Sequence, residues 1–280
     1  MDRSAAVAEV SEEIRAGGVD RLGELAAFLR SRRERLNPSE LGLPAQPRRR
    51  TNGLRREEIA ELAGISTSWY TWLEQGRDIN PSRQTLDRIA RALRLTPEEH
   101  AHLLQLAQPH EWEQERPEYV PPTLERMLRT FHSAAYVIGC RWDVLAWNAA
   151  ACDLLVDFAA TPRQDRNLLR YMFLDPRMQN LFVDWEMHAR RMVAQFRPNL
   201  ARYPGDPKFS ELVADLRAKS EAFNALWANH DVEATVGGVK RLRHPTHGDL
   251  AVEYVSFRPD DAATLRLILY SWGPRPLDRV

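Results

Sequence analysis

The stretch Gly53 to Leu93, GLRREEIAELAGISTSWYTWLEQGRDINPSRQTLDRIARAL, decides how this chain is read. Leu54, Ile59 and Leu62 recur at the spacing of one helical face. Ala63, Gly64 and Ile65 then form a tight turn, whose glycine can take positive φ. Ser66 suits the N-cap of a second helix, because its hydroxyl accepts from a backbone N–H of the first turn. Tyr70 and Leu73 are predicted inward, which turns Thr67, Ser68, Thr71, Trp72 and Gln75 outward. Gly76 stops that helix. A third begins after Pro81, with Ser82 as cap and Leu86, Ile89, Ala90 and Leu93 as its apolar stripe.

This order of caps, turn glycine and stripes resembles the phage-repressor (Xre/Cro) type of helix-turn-helix, over about Leu22 to Ala107. Local charge agrees: Arg21 to Arg94 holds fifteen Arg against nine Asp and Glu, in a chain of net charge +0. A basic patch on one part of a neutral protein suits phosphate attraction. The resemblance implies that the second helix enters a major groove, with Thr67, Ser68, Thr71 and Trp72 nearest the bases. Ser66, Gln75, Arg56, Arg77, Asn80 and Arg83 are expected on the DNA backbone. Arg56 stands out because a guanidinium at a helix start opposes the dipole unless an anion sits there. Arg48, Arg49 and Arg50, in a proline-containing loop before the motif, are expected to add phosphate or minor-groove contacts.

The chain is 280 residues long, enough for two domains, each with its own core. No apolar run approaches membrane-spanning length and the N-terminus lacks a signal-peptide stretch, so no membrane association and a cytoplasmic setting are expected. Cys140 and Cys152 are too few for a disulfide scaffold and are not at metal-ligand spacing. His230-Asp231 lacks the further ligands a metal phosphohydrolase needs, and His244 and His247 lack a third. With no Gly-rich phosphate loop and no nucleophile motif, an enzyme is not expected, nor is any cofactor assigned.

The expected organisation is a flexible segment at 1–20, a five-helix all-α DNA-binding domain at 21–107, a Pro-rich linker at 108–122 and a second domain at 123–275. In the second domain, Ala135 to Cys140 and Asp143 to Trp147 read as strands, and Asn148 caps a helix from Ala149 to about Phe158. Arg177 to Phe196 reads as one helix, followed by helices around Phe209 to Leu216 and Phe223 to Asn229. Three strands close the chain: Lys240 to His244, Leu250 to Phe257 and Thr264 to Ser271. In the last, Leu265, Leu267 and Leu269 alternate with Arg266, Ile268 and Tyr270. That order fits a PAS-like antiparallel sheet with helices, making the whole chain α+β.

Four segments carry a second resemblance: RWDVLAWNAAACDLL (141–155), RNLLRYMFLDPR (166–177), FNALWANHDV (223–232) and KRLRHPTHGDLAVEY (240–254). They are similar to the ligand-binding domain of MmyB-like transcription regulators, over 132–272. The resemblance implies a transcription regulator whose PAS-like domain encloses a small apolar effector, fatty acids being one class. From the residues themselves, two readings of the aromatics stand: a packed core, or the lining of a cavity. The second puts Trp142, Trp147, Phe173, Trp185, Phe196, Trp227 and Tyr254 in the wall, and Arg166, His230 or Arg241 near the mouth as anchors for a carboxylate. The partners expected are a double-stranded DNA operator, a second copy of the chain and the effector. The alternative is an adaptor whose second domain docks a protein.

Overall fold

In the computed structural model the described residues are 20–41, 53–107, 118–203, 206–234, 237–260 and 262–271. Arg48, Arg49 and Arg50, the segment 1–19 and most of the expected linker lie outside them. The chain divides into two compact units.

The first unit holds five helices in the expected places: α1 (Arg21–Arg35), α2 (Arg56–Ala63), α3 (Thr67–Glu74), α4 (Arg83–Ala92) and α5 (Pro97–Ala107). Local signals set their ends. Glu58 reaches back to accept from the Arg55 amide at 2.7 Å. Ser66 and Ser82 each accept from the amide three residues on, at 3.2 Å. Gly64 at φ 63° and Gly76 at φ 67° turn the chain through the left-handed region. Phe28, Leu29, Leu54, Ile59, Tyr70 and Leu86 are fully buried in the shared core. Leu62 is not: it is 45% exposed, because α2 is only two turns long and Ile59, Ala60 and Ala63 already fill its inner face.

The second unit is built on a five-stranded antiparallel sheet, with β1 (Ala135–Ile138), β2 (Val144–Trp147), β3 (Gly238–His244), β4 (Gly248–Phe257) and β5 (Arg266–Ser271). The strands lie in the order β2-β1-β5-β4-β3. Alternation sorts its two faces. Val137, Leu267 and Leu269 pack with Val120 and Leu128, the latter on α6 (Pro122–Thr130). The α6 helix begins at Pro122, the last residue of the expected linker. Tyr136, Ile268 and Tyr270 face the other way.

Three segments differ from expectation. The helix after β2 is short, α7 (Ala149–Leu154), with a separate 3-10 turn at Phe158–Ala160. An unforeseen α8 (Leu168–Leu174) starts at Asn167, whose side chain accepts from the Leu169 amide at 2.9 Å. The single helix read over 177–196 is two, α9 (Pro176–Leu181) and α10 (Trp185–Arg202). Between them Phe182 bridges Leu242, and the Val183 amide donates to Arg241 O at 3.0 Å, so β3 claims the backbone the helix would need. The helices α11 (Pro207–Lys219) and α12 (Glu221–Ala228) complete the chain's helical part.

Some residues of the expected second domain pack with the helical unit. Residues 197–213 and 227–233 belong to the first unit, although the sequence assigns them to the second domain. Arg197, 1% exposed, donates to Glu24 Oε2 at 3.0 Å and stacks 4.0 Å above the Trp227 ring. Arg35 pairs with Asp231 at 2.9 Å. Through Arg197 and His230, Glu24 is held below the ordinary carboxylate range even though burial pushes it up.

Candidate DNA-reading face and ligand cavity

The outer face of α3 is polar and open. Thr67, Ser68, Trp72 and Gln75 are exposed and Thr71 is half-buried, while Tyr70, Leu73 and Glu74 hold the helix from beneath. The Arg77 guanidinium lies 5.6 Å over the Trp72 ring, and Arg77, Asn80 and Arg83 are exposed beside it. Ser66 is engaged as the cap of α3.

Beneath this face sits a charge clamp that the sequence does not announce. Glu74 is fully buried, with Arg33 Nε 2.5 Å from one carboxylate oxygen and Arg56 Nε 2.7 Å from the other. Arg33 also donates to Leu54 O at 2.7 Å, tying α1 to the entry of α2. Arg56 therefore has a protein anion at its helix start, where a phosphate was expected. The clamp fixes the pitch of α3 against α1 and α2.

In the second unit a cavity of about 70 Å³ opens between the sheet, α8 and α10. Tyr136, Ile138, Ile268 and Tyr270 form its floor with Tyr254 and Ser256, and Leu168, Met172 and Met192 close over it. Its charged groups are Lys240, Arg266 and Arg191, with His188 beside them, and no carboxylate among the described residues lines it. Lys240 Nζ donates to the Tyr270 hydroxyl at 2.8 Å and lies 4.3 Å from the Tyr254 ring centre. The Tyr270 hydroxyl is 3.3 Å from that of Tyr136, whose own acidity burial suppresses further. Burial, then repulsion by Lys240, pushes His188 down to about 4, and its Nε2 is buried without a partner among the described residues. Burial, then the neighbouring Arg258, lowers Arg266 to about 10.

Of the aromatics and anchors named from sequence, Trp142 and Tyr254 line this cavity. Trp142 enters it from the β1–β2 turn at φ 66°, a conformation bulky residues avoid. Asn167 pins that turn by donating to Arg141 O at 2.8 Å, as the Leu168 amide does to Trp142 O at 3.0 Å. The others are engaged elsewhere. Phe196 packs edge-on behind Trp142, and Phe173 packs on Trp185 and Phe223. Arg166 lies over Trp147 and donates to Thr161 O. Arg241 is exposed and pairs with Asp184 at 2.7 Å. Trp227 and His230 fall in the first unit, around Arg197. The charged lining instead comes from Lys240, Arg266 and Arg191. One signal for it was present: the alternation that faces Leu267 and Leu269 one way must face Arg266, Ile268 and Tyr270 the other.

Residues 24–103 match the family model of a helix-turn-helix domain. Residues 120–276 match that of the MmyB-like transcription regulator ligand binding domain. No curated protein matches the chain. With the geometry above, these matches define a DNA-binding transcription regulator with a ligand-binding domain. The chain belongs to the MmyB-like transcription regulators, whose ligand-binding domain alone accounts for more than half of it. Among the described residues no helix is long and apolar enough to cross a membrane, and no cluster of three or more His, Cys, Asp or Glu could hold a metal.

Proposed function

We propose that the chain is a cytoplasmic, non-enzymatic regulator that binds a double-stranded operator as a homodimer and responds to an organic effector in its second unit. The observation that carries this reading is the open polar face of α3 above the buried Glu74 clamp. A helix so held can offer Thr67, Ser68, Thr71 and Trp72 to base edges in one fixed orientation. Arg77, Arg83 and Asn80, with Gln75, take the flanking phosphates, joined by Arg48, Arg49 and Arg50, while Ser66 and Arg56 serve the DNA contact by holding α3 in place. Two copies on half-sites about one helical turn apart roughly double the contacts. Val239, Val255 and Phe257, exposed on the sheet face away from the cavity, give a second copy apolar surface to cover. Fatty acids, suggested by the family resemblance, are one effector class, and an acid-free, cationic cavity favours an effector bearing an acid group.

Selection of binding sites from random duplex DNA by the full chain should enrich a two-fold symmetric sequence. Thr67→Ala should then relax preference at one position per half-site by about 1–3 kcal/mol. Arg83→Ala should weaken all sequences alike and flatten the salt dependence by about one unit per head. No enriched sequence, or a monomer on DNA by sedimentation, would count against the proposal.

A further inference from the structure

We infer that the cavity takes a slender organic dianion, a dicarboxylate with its acid groups at opposite ends, bridging Lys240 and Arg266. This rests on the effector-binding reading above and specifies the effector's chemistry.

The first argument is position. Lys240 on β3 lies opposite Val252, toward the middle of β4. Arg266 opens β5 one residue before Leu267, which pairs with Phe257 at the far end of β4. The two cations therefore sit at different ends of the floor, with Tyr254 and Ser256 between them. The cavity-facing residues of α10 run alongside, from His188 through Arg191 to Gln195. At about 1.5 Å per residue, that stretch is on the order of 10 Å long.

The second argument is charge. Neither Lys240 nor Arg266 makes an ion pair among the described residues, and no carboxylate lines the space between them. A half-buried cation with no anion is unfavourable, and one anion cannot relieve two cations held apart. Burial, and then the neighbouring Arg258, lower the proton affinity of Arg266, so an anion beside it would be welcome. Ser256 and the unpartnered His188 Nε2 add polar groups that the acid ends of such a ligand can meet.

The third argument is shape. A free volume of about 70 Å³, roughly half that of an enclosed site for benzene, cannot enclose a whole dicarboxylate, so the body between the anchors has to run out along the open side of the cavity. Arg191, exposed on α10, marks the open side.

The test is thermal unfolding and calorimetry of the full-length protein with succinate, adipate, suberate and sebacate. The matched monocarboxylates butyrate, hexanoate, octanoate and decanoate, plus myristate, form the second arm. One dicarboxylate length should bind best, at least about tenfold tighter than its monocarboxylate partner, as expected for one added charged hydrogen bond. Lys240→Met and Arg266→Met should each erase that preference, bringing the dicarboxylate down to the monocarboxylate's affinity. If monocarboxylates or myristate bind as well as any dicarboxylate, the dianion is overturned while the effector reading stands. If no acid binds, the inference is overturned and operator selection judges the regulator separately. Should a variant not fold, the wild-type ranking of di- against monocarboxylates still decides.

Discussion

The two units treat buried charge in opposite ways. Among the described residues of the helical unit, the buried arginines each have an acid: Glu74 closes on Arg33, Glu24 on Arg197, and Glu99 on Arg32 at 3.0 Å, while the half-exposed Arg56 completes the Glu74 clamp. In the sheet unit Lys240 and Arg266 line a cavity that holds no acid. A closed set of pairs makes a rigid scaffold, whereas an open set of cations makes a receptor for something negative. The contrast separates residues that shape the reading head from residues that answer to an effector.

The contrast would break first at Glu74. Glu74→Ala strands the buried Arg33 guanidinium beside an emptied site, so it should lower unfolding free energy by about 3–5 kcal/mol in urea titrations. A loss under about 1 kcal/mol would mean that the clamp is solvated and the helical unit no more closed than the cavity.

Acid probes the same distinction. His102 is buried against Phe28, and burial, then the Arg197 charge, pushes it down to about 3 from an ordinary 6.5. Between those values the unfolded chain takes up a proton that the folded chain refuses. From His102, stability should therefore be flat above pH 6.5 and fall below it by about 1.4 kcal/mol per pH unit, and His188, held down to about 4, adds a like slope over the upper part of that window. Below the ordinary carboxylate range, protonation of Glu24 removes the hydrogen-bonded charge facing Arg197 and adds to the loss. His102→Leu should flatten the upper part of the curve. An unchanged slope in that variant would show that the histidine is not held neutral.

A smaller effect belongs to the cap. Ser66→Ala removes the acceptor for the Trp69 amide and should cost about 1 kcal/mol of stability, with a matching loss of operator affinity if α3 frays. Affinity unchanged at reduced stability would place the first turn of α3 away from the bases. The smallest effect should be that of Lys240→Met on the protein without effector. Removing an unpaired cation loses one hydroxyl contact and relieves desolvation, so the melting temperature should hold or rise. A clear fall would class Lys240 with the structural cations of the helical unit.

The helical unit was largely legible because its rules are local. A cap speaks to a residue three positions on, and a turn glycine to its immediate neighbours. Ser66, Gly64, Gly76 and Ser82 could therefore be read directly. The Glu74 clamp could not, since Arg33 lies 41 positions away and nothing local marks either residue as buried. In the sheet unit the strands were readable from alternation. The cavity lining depended on which strands become neighbours, as with the Tyr136 and Tyr270 hydroxyls, 134 positions apart. Aromatic content pointed to a cavity wall, but Phe173, Trp185 and Phe196 went into packing, because composition carries no direction. The break at Phe182 was hidden for the same reason: a strand from the other end of the unit takes its hydrogen bond.

The contacts of Arg197 bear on how such a chain can be recombined. Exchanging everything after residue 112 for another regulator's sensor would discard Arg197, Trp227, His230 and Asp231 while keeping Glu24, Arg32 and Arg35, which they partner. The reading head would inherit a buried carboxylate and two arginines matched to a sequence no longer present. Viable grafts would have to carry residues 197–213 and 227–233 along with the helices, two islands inside the donor's other half. A seam that keeps these contacts is thus discontinuous in the gene.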